Sequence, residues 1–116
     1  MDLPELQQKL LAFAEARDWK QFQSPKNLAM AISIEAAELM EHFQWLSTEE
    51  SLSVNKDTHT AAAYELADVF MYTLLMAKRM DIDLIDVTQK KMTINEQRYP
   101  ADKAKGKALK HTEYTK

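Results

Sequence analysis

The 116-residue chain has no Cys, a single Gly (Gly106) and three Pro, where ordinary usage would give about eight glycines at this length. Without Cys there is no disulfide framework, no thiolate zinc site and no thiol nucleophile, and the lack of disulfides agrees with a reducing compartment. Glycine supplies the positive φ of tight hairpins and lets backbone approach a phosphate closely, so its scarcity argues against a hairpin-rich β fold and against Gly-rich phosphate cradles. A secretory leader is not expected, because Asp2, Glu5 and Lys9 interrupt the apolar residues before an h-region can form. A cytoplasmic location is expected. A basic surplus is missing as well. Residues 101–116 carry five Lys against Asp102 and Glu113, net +3, which leaves residues 1–100 at −6 within an overall charge of −3. An acidic body does not suit a nucleic-acid binder, whose affinity comes from neutralising phosphates.

What is present reads as helix. Hydrophobic residues make up 46% of the chain, and no segment of strict two-residue alternation competes with the helical pattern. A first helix opens at Asp2, carries Leu3, Leu6, Leu10, Phe13 and Ala14 on one stripe and ends near Arg17. A linker, Asp18 to Gln23, leads to Ser24-Pro25, an N-cap followed by Pro at the first helical position. The second helix is expected to run to about Trp45, with Ile32, Ala36, Leu39, Phe43 and Leu46 facing the core. Ser47 and Glu50 form a capping box for a short turn, and Ser53 to Lys56 is a loop. A third helix spans about Thr58 to Met80. Asp83 caps a fourth, ended by Tyr99-Pro100 because the residue before Pro is pushed out of the helical region. The expectation is a single all-α domain over residues 1–100, a protomer like a four-helix bundle, followed by a basic tail over 101–116. A core of this size is modest, so burying more apolar surface against a second copy of the chain would help it.

The third helix holds the main chemical signal. The 17 residues from Ala61 to Ala77, AAAYELADVFMYTLLMA, contain two charges, Glu65 and Asp68. The ordinary reading of a helical acid is a solvated face, but the residues around these two are apolar on every side, the mark of a helix buried against several neighbours. A membrane span is excluded, because the run is short with two acids at its middle. Buried carboxylates cost several kcal/mol unless paired or bound to a metal. The second helix supplies a matching half: Glu35 and Glu38, like Glu65 and Asp68, stand within about 60° of each other on the wheel. If the two helices pack antiparallel, four carboxylates converge and repel one another without a cation. Hard oxygen donors at this density suit Mg²⁺, with Mn²⁺ as a substitute. The competing explanation is neutralisation by Lys or Arg from another helix. Di-iron chemistry would need Glu-x-x-His pairs, which are absent, and zinc is disfavoured because His42, His59 and His111 are scattered. His42 does share the Glu35/Glu38 face, as a neighbour more readily than a ligand.

On the fourth helix Lys91, Asn95 and Arg98 share a face at i, i+4 and i+7. Alone they read as a solvated basic face; beside a metal cluster they are the cations that phosphoryl chemistry requires. Trp19 in the linker, Trp45 at the end of the second helix and Tyr72, seven residues after Glu65, are candidates for the rim of a nucleoside pocket, or else are core.

The stretch from Ser24 to Trp45, SPKNLAMAISIEAAELMEHFQW, with ELADVFMYTLLMA and KMTINEQRYP, resembles the MazG-like all-α nucleoside triphosphate pyrophosphohydrolases, in particular their dCTP pyrophosphatase branch. The family pattern of ExxE, spacer and ExxD is filled by Glu35, Glu38, Glu65 and Asp68 with 26 residues between the halves. The resemblance covers about residues 19–100. It implies an enzyme that uses Mg²⁺ on the four acids to activate water against the α-phosphorus of a nucleoside triphosphate, releasing a monophosphate and pyrophosphate in the cleaning of the nucleotide pool. By position Lys91, Asn95, Arg98 and Tyr99 would hold phosphates. Asn27 would contact the nucleotide, and Trp19 and Trp45 match aromatics that enclose the base. Where those relatives often carry His after the Phe of this loop, the chain has Gln23, which calls strict cytosine specificity into question. Glu35 and Glu38 are the expected catalytic acids. By analogy Glu38 is assigned the water's proton as well as a metal bond, since it lies nearest in wheel angle to Asn27 and Trp45. The resemblance also implies a homo-oligomer, with a tetramer built as a dimer of dimers favoured over a dimer. The alternative from another class is a non-catalytic helical module whose acidic pairs bind basic residues of a partner.

Overall fold

In the computed structural model, which describes residues 1–113, the chain forms α1 (Leu3–Ala16), α2 (Pro25–Glu41), α3 (Thr48–Ser51), α4 (Lys56–Arg79), α5 (Leu84–Arg98) and α6 (Ala101–Ala104), with 3-10 turns at Lys20–Phe22 and His111–Glu113. Among the described residues there is no strand, and the expected all-α class is found. Each main helix starts where a short polar side chain can satisfy one of the unpaired N–H groups of the first turn. Asp2 accepts from the Glu5 N–H at 2.9 Å, Ser24 from Asn27 at 3.2 Å, Asn55 from Thr58 at 2.8 Å and Asp83 from Asp86 at 3.1 Å. Ser47 and Glu50 form the reciprocal box.

Helix ends depart further from expectation. α2 stops at Glu41 rather than Trp45. The N–H groups of His42, Phe43 and Leu46 bond three residues back, to Leu39, Met40 and Phe43, so the chain tightens into turns. These turns lead to Ser47, which is extended (φ −70°, ψ 164°) and caps α3. Trp45, on that turn, is 87% exposed. The C-terminus of α1 shows how a chain almost without glycine ends helices. Asp18 takes the left-handed conformation (φ 54°), its N–H bonds to Glu15 and the Trp19 N–H reaches Ala14. This is a Schellman closure with Asp where Gly is usual. Asp81 repeats the left-handed turn after α4.

The fold divides into two compact units, Met1–Asp81 and Ile82–Lys116. In the first, α4 is the axis and packs against α2 and α1. Its innermost residues are Leu74, 1% exposed, and Leu28 of α2, 2% exposed, with Ala14, Leu75 and Ala77 also buried. The Gln7 side chain ties α1 to α4 by donating to the Leu74 carbonyl at 3.1 Å. The expected α2 stripe is only partly right: Ile32, Leu39 and Phe43 are half-buried, but Ala36 and Leu46 are exposed and Leu28 is the residue that reaches the core. Nor is α4 buried all round in one chain, because Tyr64, Leu66 and Phe70 remain exposed.

The second unit holds α5, whose Lys90 pairs with Asp86 at 2.9 Å, and α6. The expected tail of residues 101–116 thus includes α6 and the second 3-10 turn, and its last three residues lie outside those described. No helix of the described residues is long and apolar enough to cross a membrane.

Leu74 fills the space between α1, α2 and α4, so Leu74→Ala is expected to lower the unfolding free energy by about 2–5 kcal/mol in urea titration.

Candidate active site

α2 and α4 run antiparallel. Ala31 and Tyr72 line one cavity at one end of the pair, while further along α2 Glu35 lies close to Glu65, so rising numbers on α2 face falling numbers on α4. This is the packing that the four acids required. Glu35, Glu38 and Glu65 each offer an oxygen within 4.8 Å of the others, all half-buried. Asp68 stands outside that tight group yet close enough to repel Glu35.

Electrostatics mark the cluster as incomplete. Burial is the largest influence on Glu35; hydrogen bonding to Glu38 and repulsion from Glu38, Asp68 and Glu65 add to it, and together they push its carboxyl up to about 7. Glu35 Oε2 and Glu65 Oε2 are buried with no hydrogen-bond partner, a state that ordinarily costs the full desolvation penalty. Among the described residues no Lys or Arg lies within ion-pair distance of the four acids; the basic neighbour is His42, its Nε2 3.7 Å from Glu65 Oε1. Within the first unit, neutralisation by a Lys or Arg side chain is therefore not how the charge is met. Three hard oxygen donors at this spacing, two of them with orphaned buried atoms, fit a divalent cation.

Beside the acids lies a cavity of about 300 Å³ lined by Trp19, Phe22, Gln23, Asn27, Leu28, Ala31 and Tyr72. A smaller one, about 130 Å³, shares Trp19, Gln23 and Tyr72 with it and includes Asp68. The aromatic space and the acids are thus contiguous through Tyr72, whose phenol is raised by burial and then by Glu35, Asp68 and Glu38. Local structure explains the lining. The Schellman closure of α1 lifts Trp19 against Phe13, ring centroids 5.7 Å apart and edge to face. The 3-10 turn then brings Phe22 to the same side, and the Asn27 amide, donating to the Phe22 carbonyl at 3.0 Å, ties that turn to the start of α2.

Four of the five residues expected around a nucleoside, Trp19, Gln23, Asn27 and Tyr72, line this one cavity. The fifth, Trp45, lines none of the cavities described, because the wheel angle that aligned it with Asn27 assumed helix beyond Glu41. Lys91, Asn95 and Arg98 share a face of α5 in the second unit, all exposed. Tyr99 C-caps that helix through its N–H to the Asn95 carbonyl at 2.8 Å. Phe22 and Ala31 escaped the sequence reading. Phe22 had a signal, since it lies three residues after Trp19 and a single 3-10 turn puts such residues on one side.

Folding raises the Glu35 pKa, so the cation-free fold takes up a proton there. The stability this carries is present below about pH 4.5 and is lost as pH rises through about 7. Glu35→Gln should therefore raise the melting temperature in the presence of a chelator at about pH 8, the gain shrinking toward about pH 5, as measured by scanning fluorimetry. Any rise in melting temperature that a divalent cation gives the wild type should be lost in the same variant.

Comparison with known proteins agrees with this geometry. Residues 30–113 match the model of the MazG-like family. The chain is 40% identical over 103 residues to dCTP pyrophosphatase 1 of Rattus norvegicus and 41% identical to that of Homo sapiens, alignments that cover 87% of this chain. It spans 61% of the length of those relatives. Among solved structures, a pyrophosphatase from Archaeoglobus fulgidus superposes with a TM-score of 0.80 at 40% identity, covering 84% of this chain and 91% of its own. With an antiparallel helix pair carrying ExxE and ExxD and a family match over most of its length, the chain belongs to the MazG-like family.

Proposed function

We propose that the protein is a Mg²⁺-dependent nucleotide pyrophosphohydrolase that cleaves deoxynucleoside triphosphates, dCTP or its relatives, between the α and β phosphates to give a monophosphate and pyrophosphate. The observation that carries this reading is the contiguity of two features: three clustered carboxylates, two of them with an orphaned buried oxygen, and an aromatic cavity joined to them through Tyr72 and Asp68. A nucleotide needs both, a flat apolar wall for its base and a cation for its phosphates. The similarity to dCTP pyrophosphatases supports the substrate class.

Glu35, Glu38, Glu65 and Asp68 would hold the cation. A divalent ion bound there would supply polarisation of the phosphate oxygens and a water acidic enough to attack near neutral pH. Glu38 would take the proton of the attacking water, and Glu35 would be among the residues that hold the ion. Lys91, Asn95, Arg98 and Tyr99 meet the phosphates, with Arg as a planar fork and Lys as a point charge. Trp19 and Tyr72 flank the base, Asn27 contacts the nucleotide, and Trp45 belongs to the same enclosure in the assembled enzyme. Gln23 stands at the cavity wall and has both amide donors and an acceptor to offer, which suits a broader base preference than cytosine alone. The exposed Tyr64, Leu66 and Phe70 on α4 and Ile85 and Met92 on α5 support assembly into a homotetramer, a dimer of dimers, in the cytoplasm, where it would clean the nucleotide pool.

Incubation with each common and several modified dNTPs plus Mg²⁺ should yield monophosphate and pyrophosphate in equal amounts, and chelation should stop the reaction. Orthophosphate with a diphosphate product would move the cleaved bond. Absence of any turnover, with no thermal shift by Mg²⁺, would favour the non-catalytic helical module. Glu38→Gln is expected to lower kcat by at least about 10²-fold, the scale of lost general-base catalysis, while nucleotide still binds in calorimetry; an active variant would remove Glu38 from the proton transfer.

A further inference from the structure

His42 occupies the point where α2 gives way to turns, its N–H shared between the Leu39 and Met40 carbonyls. It is half-buried and projects to α4, with Nε2 3.7 Å from Glu65 Oε1. The two oxygens of Glu65 therefore have different surroundings. Oε1 faces the imidazole, whereas Oε2 is buried with no hydrogen-bond partner, and the same carboxylate belongs to the group of three that lie within 4.8 Å. A carboxylate on a helix has free torsions, and three acids that repel one another have every reason to rotate apart. Something must hold Glu65 inward. Glu35 and Glu38 sit one turn apart on α2, whereas Glu65 comes from the other helix.

We propose that His42 is a positioning residue for the metal site: its imidazole engages Glu65 Oε1 and so keeps Oε2 available to a divalent cation shared with Glu35 and Glu38. Groups that orient metal-bound carboxylates and imidazoles from behind commonly matter to affinity almost as much as the ligands do, with losses of about 10- to 100-fold when removed. His42 touches neither substrate nor reacting atoms; it acts through Glu65. Its location follows from helical spacing: His42 lies four residues after Glu38 and seven after Glu35 and keeps right-handed helical dihedrals (φ −71°, ψ −16°), so it shares their face toward α4. The inference rests on the reading of the acids as a metal site, and the experiment separates the two.

The test is calorimetric titration of Mn²⁺ into the full chain at one fixed pH, for the wild type, His42→Ala, His42→Leu and His42→Gln. Ala and Leu, which leave Glu65 Oε1 without the imidazole, are expected to weaken Mn²⁺ binding about 10- to 100-fold. Gln, whose amide nitrogen takes the place of Nε2, should stay within about threefold of the wild type. Melting temperatures in chelator should be similar for all four. In the nucleotide assay the Mg²⁺ concentration for half-activation should rise in proportion for Ala and Leu, while kcat at saturating Mg²⁺ changes by less than about threefold. A folded Ala or Leu variant that binds Mn²⁺ as tightly as the wild type overturns the role of His42 and leaves the metal site standing. A wild type that binds no Mn²⁺ overturns the metal site, and the role of His42 with it.

Discussion

Packing α2 antiparallel against α4 brings like charges together, and much else in the molecule answers to that constraint. The contact is driven by apolar residues, with Leu28 and Leu74 almost fully removed from water, and hydrophobic burial of this kind does not consult the charges it carries along. As a result Glu35, Glu38 and Glu65 arrive within a few ångströms of one another, and one of them can stay neutral only by holding its proton to about pH 7. A solvated acidic face would show no such shift and no orphaned oxygens. The helix pair stores an electrostatic demand that a divalent cation would meet, and the fold stability set by the core is what makes the demand persist.

The aromatic cavity arises from a different cause, the way α1 ends. A chain with one glycine must find another residue for the left-handed position that closes a helix, and Asp18 takes it at φ 54°. That closure turns the backbone so that Trp19 stands against Phe13, and the following 3-10 turn, anchored by Asn27, adds Phe22. Asn27 therefore has a structural bond as well as a place in the cavity wall. The cavity and the acids meet at Tyr72 because Tyr72 lies one helical turn beyond Asp68 on α4.

Features that depend on near neighbours were legible. Asp2, Ser24, the Ser47/Glu50 box and Asp83 cap helices as read, since capping involves residues two or three apart and little else. Glu65 and Asp68 stood out because 17 residues of otherwise uncharged helix made two acids anomalous. Other features depended on what the chain meets elsewhere. The run of helical pattern through Trp45 gave no sign that α2 would stop at Glu41 and give way to turns. Ala36 and Leu46 were placed inside by periodicity alone, whereas burial is decided by which side of α2 finds α4, and that side is centred on Leu28. Phe22 was hidden in a linker too short to show a period.

By itself, then, the order of residues determined the helices, their starts, and the two pairs of acids that each helix carries at a spacing of three, all properties of local hydrogen bonding and side-chain angle. It also excluded a glycine-rich phosphate cradle, since Gly106 stands alone. Only the tertiary structure decided that the two pairs face each other, that His42 stands behind Glu65, and that Trp19, Phe22, Gln23, Asn27 and Tyr72 enclose one space next to the acids. Those outcomes rest on contacts between residues far apart in the chain, whose geometry depends on how the apolar surfaces of α1, α2 and α4 pack together.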